Sequence, residues 1–183
     1  MVKATLTDDM IKLLSSTIGK HLVSYECEQD DGFSRTFGNI RINFEGLSIE
    51  ITNEEHTLPF FGEKEDMTYF MCTEVDPSSH FVPAIITETK VRNVGKTVSS
   101  IEIISDSVSV NNGEYEITFD EAIVFHMGED TLMLARDIWF SEIISIADND
   151  DYDHIFSIEE LKDAWSNDGE DEVKIQRSHI ALS

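Results

Sequence analysis

The chain has 183 residues, 13 Lys and Arg against 37 Asp and Glu, and a formal net charge of −24 at pH 7. Nucleic-acid phosphates and anionic lipid heads are captured by Lys and Arg, so direct nucleic-acid binding and membrane association are excluded as first readings. Hydrophobic residues make up 40% of the chain, too many for an acidic disordered tail, and a single β-rich domain over residues 1–183 is expected.

The N-terminal stretch lacks the basic-then-apolar order of a secretion signal, and no run approaches the roughly 18 apolar residues that cross a bilayer. A cytoplasmic location is the expectation. The first element is a short helix over about residues 7–18: Thr7 supplies a cap, Asp8 and Asp9 the acidic first turn, and Met10, Leu13, Leu14 and Ile18 the apolar face, with a stop at Gly19. The period then changes to two. His21–Cys27, Ile40–Phe44 and Leu47–Ile51 alternate, the last two as a hairpin about Glu45-Gly46. The acidic stretch Asn53–Met67 reads as the longest loop of the first half, and Phe60-Phe61 within it as a plug over an open end of the fold, or else as an exposed anchor.

Further strands are expected at Tyr69–Val75, Ala84–Val91, Ser100–Ile104, Ser107–Val110, Tyr115–Phe119, Ala122–Met127 and Thr131–Ala135. Turns at Asn111-Asn112-Gly113 and Gly128-Glu129-Asp130 punctuate them. Trp139, Phe140, Phe125 and Phe44 are assigned to the core. Between Asp148 and Glu172 there are eleven acids and one base. Inside that segment Ser157 and Glu160 have capping-box spacing ahead of a helix whose inner face carries Ile158, Leu161 and Trp165. The stretch from Glu172 onward alternates and is expected to return as an edge strand. The fold class that follows is α+β, mostly antiparallel β, a sandwich or partly open barrel with one short helix near each end.

Chemistry-bearing patterns are few. Set against an EF-hand loop, 149–160 puts oxygen donors at Asn149, Asp151, Asp153, Ser157 and Glu160. His154 stands where Gly makes the turn, however, and the incoming stretch at Ile143 is strand-like. A solvated acidic loop is the preferred reading and a calcium-binding module the alternative. Ser79-His80 and Ser178-His179 are sequence neighbours that a strand would send to opposite faces, so neither makes a dyad. The histidines at 21, 56, 80, 126, 154 and 179 show no metal-binding spacing, and no glycine-rich phosphate cradle is present. Cys27 and Cys72 sit singly in apolar runs and are expected to be reduced. No catalytic residue, metal or cofactor is assigned, and the chain is not expected to be an enzyme.

The charge thus becomes the main functional datum. Complementary potentials speed association with a basic partner. The stretch from Asp120 to Ile146 runs as an apolar strand, a Gly hairpin, a second strand, and an Arg-and-aromatic segment that closes on apolar alternation. In this layout the chain resembles the immunity proteins of bacterial polymorphic-toxin and contact-dependent growth-inhibition systems. The resemblance implies a non-catalytic inhibitor that binds a basic toxin domain, often a nuclease; such proteins share no common binding residues to carry over. From charge clustering, the partner-binding set is Asp148, Asp150, Asp151, Asp153, Glu159, Glu160 and Asp163. A nucleic-acid-mimicking inhibitor is a further alternative.

Overall fold

A computed structural model describes residues 1–28, 35–85, 88–137, 140–166 and 171–182. Its strands in chain order are β1 (Val2–Ala4), β2 (His21–Glu28), β3 (Arg35–Phe37), β4 (Asn39–Phe44), β5 (Leu47–Phe60), β6 (Glu63–Val75), β7 (Thr89–Thr97), β8 (Ser100–Val110), β9 (Tyr115–Met127), β10 (Asp130–Arg136), β11 (Ile143–Asp148) and β12 (Val173–Leu182). The helices are α1 (Asp8–Ser15), α2 (Tyr152–Ile155) and α3 (Ile158–Trp165). Two sheets result. One runs β6-β5-β4-β2-β7, and the other β12-β8-β9-β10-β11-β3 with β1 added beside β9. Every pairing is antiparallel except the short parallel match of β1 to β9, so the mostly antiparallel, two-layer expectation holds.

Period-two alternation builds the core. Ile40, Ile42, Ile49, Ile51, Phe70 and Tyr25 from the five-stranded sheet meet Ile101, Ile103, Ile123, Phe125, Leu132 and Leu134 from the seven-stranded one, and α1 contributes Leu14 at one end. Both thiols lie in this layer as free cysteines. Burial pushes Cys27 to about 11 and Cys72 to about 12, so both stay protonated and act as small apolar side chains. The alternate residues Ile104, Val124 and Met133 face the other way and join Tyr152 in a separate cluster.

Several elements differ from expectation for identifiable reasons. The stretch 53–67 is not a loop: β5 and β6 pair without a break from Ser48↔Val75 to Phe60↔Glu63, closed by the two-residue turn Phe61-Gly62. Both turn residues have positive φ, 45° and 87°, as a turn matched to strand twist requires. The arms are full of Glu and Asp, which have low strand propensity, and those carboxylates are exposed on a ribbon that outruns the sheet. At its tip Phe60 packs 5.3 Å from Tyr115 as a plug would, whereas Phe61 stays 41% exposed while stacking on Tyr115 at 4.6 Å.

The expected strand pairs 100–104 with 107–110, and 115–119 with 122–127, are single strands, β8 and β9. A register shift where Ile104↔Ala122 gives way to Ser105↔Asp120 interrupts the alternation and mimics a break. Helix α1 stops at Ser15, before residue 18, because the Ser16 and Thr17 hydroxyls donate to the Leu13 and Leu14 carbonyls. The strand expected from Ala84 starts only at Thr89, residues 86–87 lying outside those described. Phe140, assigned to the core, is 48% exposed beyond the end of β10; Trp139 lies outside the described residues.

The irregularity in β9 also fastens the N-terminus. Asp120 is 4% exposed; it accepts from the Leu6 amide at 2.7 Å and from the Ser105 hydroxyl. Burial raises its pKa despite those bonds and the nearby Arg136 charge. A folded-state carboxyl above its unfolded value binds the extra proton in the native state, so this group's stabilisation is full at low pH and fades as pH rises through that interval. Asp120→Asn can still bond both groups, its Oδ1 accepting from the Leu6 amide and its Nδ2 donating to the Ser105 hydroxyl oxygen. Urea titrations across pH 4–7 are expected to show that the variant loses part of the wild-type decline in stability with rising pH; an unchanged slope would refute this.

Candidate functional site

The segment after β11 is a helical ribbon laid on the seven-stranded sheet. Asn149, at φ 56°, turns the chain, its Oδ1 accepting from the Thr131 amide at 2.8 Å. Asp151 caps α2, accepting from the Asp153 amide at 3.0 Å. Ser157 and Glu160 close the expected capping box, 3.1 and 3.3 Å in its two arms. Apolar side chains fix the ribbon from below. Tyr152, 2% exposed, packs on Ile104, Ala122, Val124 and Met133, and Trp165 packs 6.1 Å from Tyr115 and 5.8 Å from Phe119.

One cation clamps ribbon to sheet. Arg177 of β12 donates to both Asp106 oxygens, from Nε at 2.9 Å and Nη2 at 2.7 Å, and its Nη1 donates to Asp153 and to the Phe156 carbonyl. Its guanidinium carbon lies 4.5 Å from the centre of the Tyr152 ring. The Arg177 and Asp106 side chains are 4% and 1% exposed. Nearby, Arg136 lies over the Phe119 ring at 4.8 Å and reaches Glu121 only at 3.7 Å. Burial raises the Glu121 pKa against the pull of Arg136, and burial likewise raises that of Tyr152, with Glu121 and Asp106 adding to it.

Beside this clamp a cleft of about 290 Å³ opens between sheet and ribbon. Its floor is Ile104, Val124, Met133 and Tyr152, and one rim is Asp150 and Asp151. The other rim is Glu102 held between two imidazoles: His126 Nε2 lies 3.0 Å from Oε2, and His179 Nδ1 2.6 Å from Oε1. Carboxylate oxygens only accept, so both imidazole nitrogens donate. The cleft thus pairs an apolar floor with three carboxylates, an environment for a protonated amine or a guanidinium on an aliphatic stem.

All seven acids nominated from sequence lie on or next to the ribbon and are exposed, but they are not equivalent. Asp148 pairs with Arg92 at 2.5 Å, tying β11 to β7 across the two sheets. Asp153 belongs to the Arg177 clamp, Glu160 to the capping box, and Glu159 pairs with Lys162 at 2.8 Å. Asp150 and Asp151 face the cleft. The oxygens aligned with a calcium loop are directed apart: Asn149 Oδ1 to the Thr131 amide, Asp153 to Arg177, Glu160 back to Ser157. Among the described residues no three His, Cys, Asp or Glu groups converge as metal ligands. Ser178 and His179 do take opposite faces. The Ser178 hydroxyl donates to the Ser105 carbonyl, while His179 meets Glu102.

Glu102, His126, His179 and Arg177 were absent from the sequence-derived set. For Glu102 and His126 the signal is a polar residue between apolar neighbours, Ile101-Glu102-Ile103 and Phe125-His126-Met127, whereas Arg177 and His179 lie in the polar run Gln176-Arg177-Ser178-His179 and carry no such signal. Only the register that sets β8 between β9 and β12 brings them together. No known protein family, curated protein or solved structure matches the chain.

Removing Arg177 leaves Asp106 buried and alone. Arg177→Met is expected to cost about 3–5 kcal/mol in urea unfolding, and the double variant Asp106→Leu/Arg177→Met to recover most of it. A single-variant cost indistinguishable from zero would show that the clamp does not hold the ribbon.

Proposed function

We propose that this chain is a non-catalytic acidic binding protein that neutralises a basic protein partner, in the manner of an immunity protein against a toxin nuclease in the cytoplasm. The observation that carries the reading is how the charges are allotted. Of the few cations, Lys12, Arg41, Arg92, Lys96, Arg136, Lys162, Lys174 and Arg177 each already lie against a carboxylate of the same chain. The net negative charge therefore remains at the surface, and the ribbon presents a dense part of it around a cleft shaped for a cationic side chain.

Carboxylates held on capped helices over a packed face are preorganised, so a partner meets them with little ordering cost. An excess of one sign also raises the rate of encounter with an oppositely charged surface. Fast capture suits a protein that must occupy its target before the target acts. No described helix is long and apolar enough to cross a membrane, in keeping with a partner met in solution.

The test compares the wild type with Asp150→Lys/Glu159→Lys/Asp163→Lys, three exposed positions outside the Arg177 clamp and the capping box. Each protein is immobilised and lysate of its source is passed over it at rising salt. The wild type is expected to retain one basic protein stoichiometrically and release it as salt increases, and the triple variant to bind that protein at least about a hundredfold more weakly. Equal retention by both overturns the assignment of the surface. Displacement of the retained protein by DNA would identify it as a DNA-binding target.

A further inference from the structure

We propose that the free edge of β12 takes up an extended basic segment of the partner as an added strand, sending alternate side chains into two clefts on opposite faces of the sheet. The proposal rests on the reading of the chain as an acidic binder of a basic protein and specifies how that partner is held.

The first support is a comparison of the sheet edges. Exposed strand edges invite pairing, and proteins blunt them with short strands, bulges, charges or cover. β3 is three residues long. β7 carries Lys90, Arg92 and Lys96, has a register irregularity against β2, and is strapped to the opposite sheet by Arg92–Asp148 and Lys96–Asp130. β6 begins with Glu63-Lys64-Glu65-Asp66, and α1 and β1 pack against it. β12 carries Lys174 and the inward Arg177 and is packed by α3, yet it is long and unbulged. It pairs with β8 over ten consecutive residues in unbroken register, Val173↔Val110 to Leu182↔Ile101, contains no proline, and has no strand on its other side among the described residues. Its one outward-reaching base, Lys174, is drawn back to Glu172 at 2.8 Å and to the Asn112 side chain.

The second support is what flanks that edge. His179 lines the acidic cleft with Asp150, Asp151 and Glu102. Its neighbours Ser178 and Ile180, on the opposite face, line a separate groove of about 300 Å³ that also takes in Ile11 of α1 and Ile103. Ile180 is 46% exposed there. Successive residues of an added strand point to opposite faces. Every second side chain would then approach the carboxylates of the ribbon, and the intervening ones the isoleucine-lined groove. The segment that fits alternates basic with apolar residues. A second copy of this chain fits poorly, because it sets a charge of −24 against another −24.

The test uses the full chain and a synthetic peptide that alternates Lys and Val, with a Glu–Val peptide and a fully backbone-N-methylated Lys–Val peptide as controls. Amide hydrogen exchange is followed by NMR. With the Lys–Val peptide at saturation, amides within 173–182 are expected to exchange at least about tenfold more slowly, and neither control is expected to bind. Ile180→Lys, at a half-exposed position that tolerates the change, is expected to weaken binding about tenfold. If the Lys–Val peptide binds without protecting 173–182, or binds equally when N-methylated, the edge is not the site while the acidic surface stands. If it fails to bind although a basic protein is retained from lysate, the edge proposal alone falls. If neither is bound, both readings fall. Sedimentation as a dimer with β12 protected would give the edge to a second copy and overturn the proposal.

Discussion

The guanidinium of Arg177 is the point through which sheet and ribbon become one body. It satisfies a carboxylate that β8 buries, closes the end of α2 through the Phe156 carbonyl, holds Asp153, and covers the Tyr152 ring. A charge this deeply enclosed is tolerated only when its donors are matched, and Arg177 uses all three guanidinium nitrogens in hydrogen bonds. Without it the acids of the ribbon would be borne by a short loop and two brief helices, neither long enough to persist alone in water.

The same constraint orders the rest of the charge. With so few cations available, five of the 13 are assigned to internal work: Arg92 and Lys96 bridge the two sheets, Arg41 meets Glu50 and holds the carbonyls of Ser79 and His80, and Arg136 and Arg177 serve buried carboxylates. Cohesion and display are thereby separated. An isoleucine-rich interlayer supplies the first, and surface carboxylates on the hairpin and the ribbon the second. Self-repulsion among the latter acts at the periphery, where solvent screens it, rather than across the core.

Much of the architecture was legible because alternation and capping are local signals. Ile40–Phe44 and Leu47–Ile51 around Glu45-Gly46 announce a hairpin, and Ser157 with Glu160 a helix start, without knowledge of any other segment. The β5–β6 arms resemble a loop in sequence because glutamates on a solvent-exposed ribbon have the composition of one; only the cross-strand register reveals them as strands. The two halves of β8 and of β9 were split by polar Ser105-Asp106 and Asp120-Glu121, whose purpose is tertiary: they receive the N-terminal segment and Arg177. Of the candidate site, the seven acids were visible as charge density. The cleft was not, since Glu102, His126 and His179 come from three strands and acquire meaning only side by side.

The parallel pairing of Val2–Ala4 with Ile117–Phe119 has a consequence for the order in which the molecule assembles. All five strands of the smaller sheet lie between residues 21 and 97, so that layer is complete in the nascent chain before any of its larger neighbour beyond β1 and β3 has been made. Contacts that close loops of more than a hundred residues are slow to form. β1, made before the other strands, must therefore wait for the β8–β9 ladder, and β12 is made after all of them. Until then the isoleucine face of the smaller sheet has no second layer, which makes the interval between the two sheets the stage of synthesis at which this chain is most exposed to misassociation.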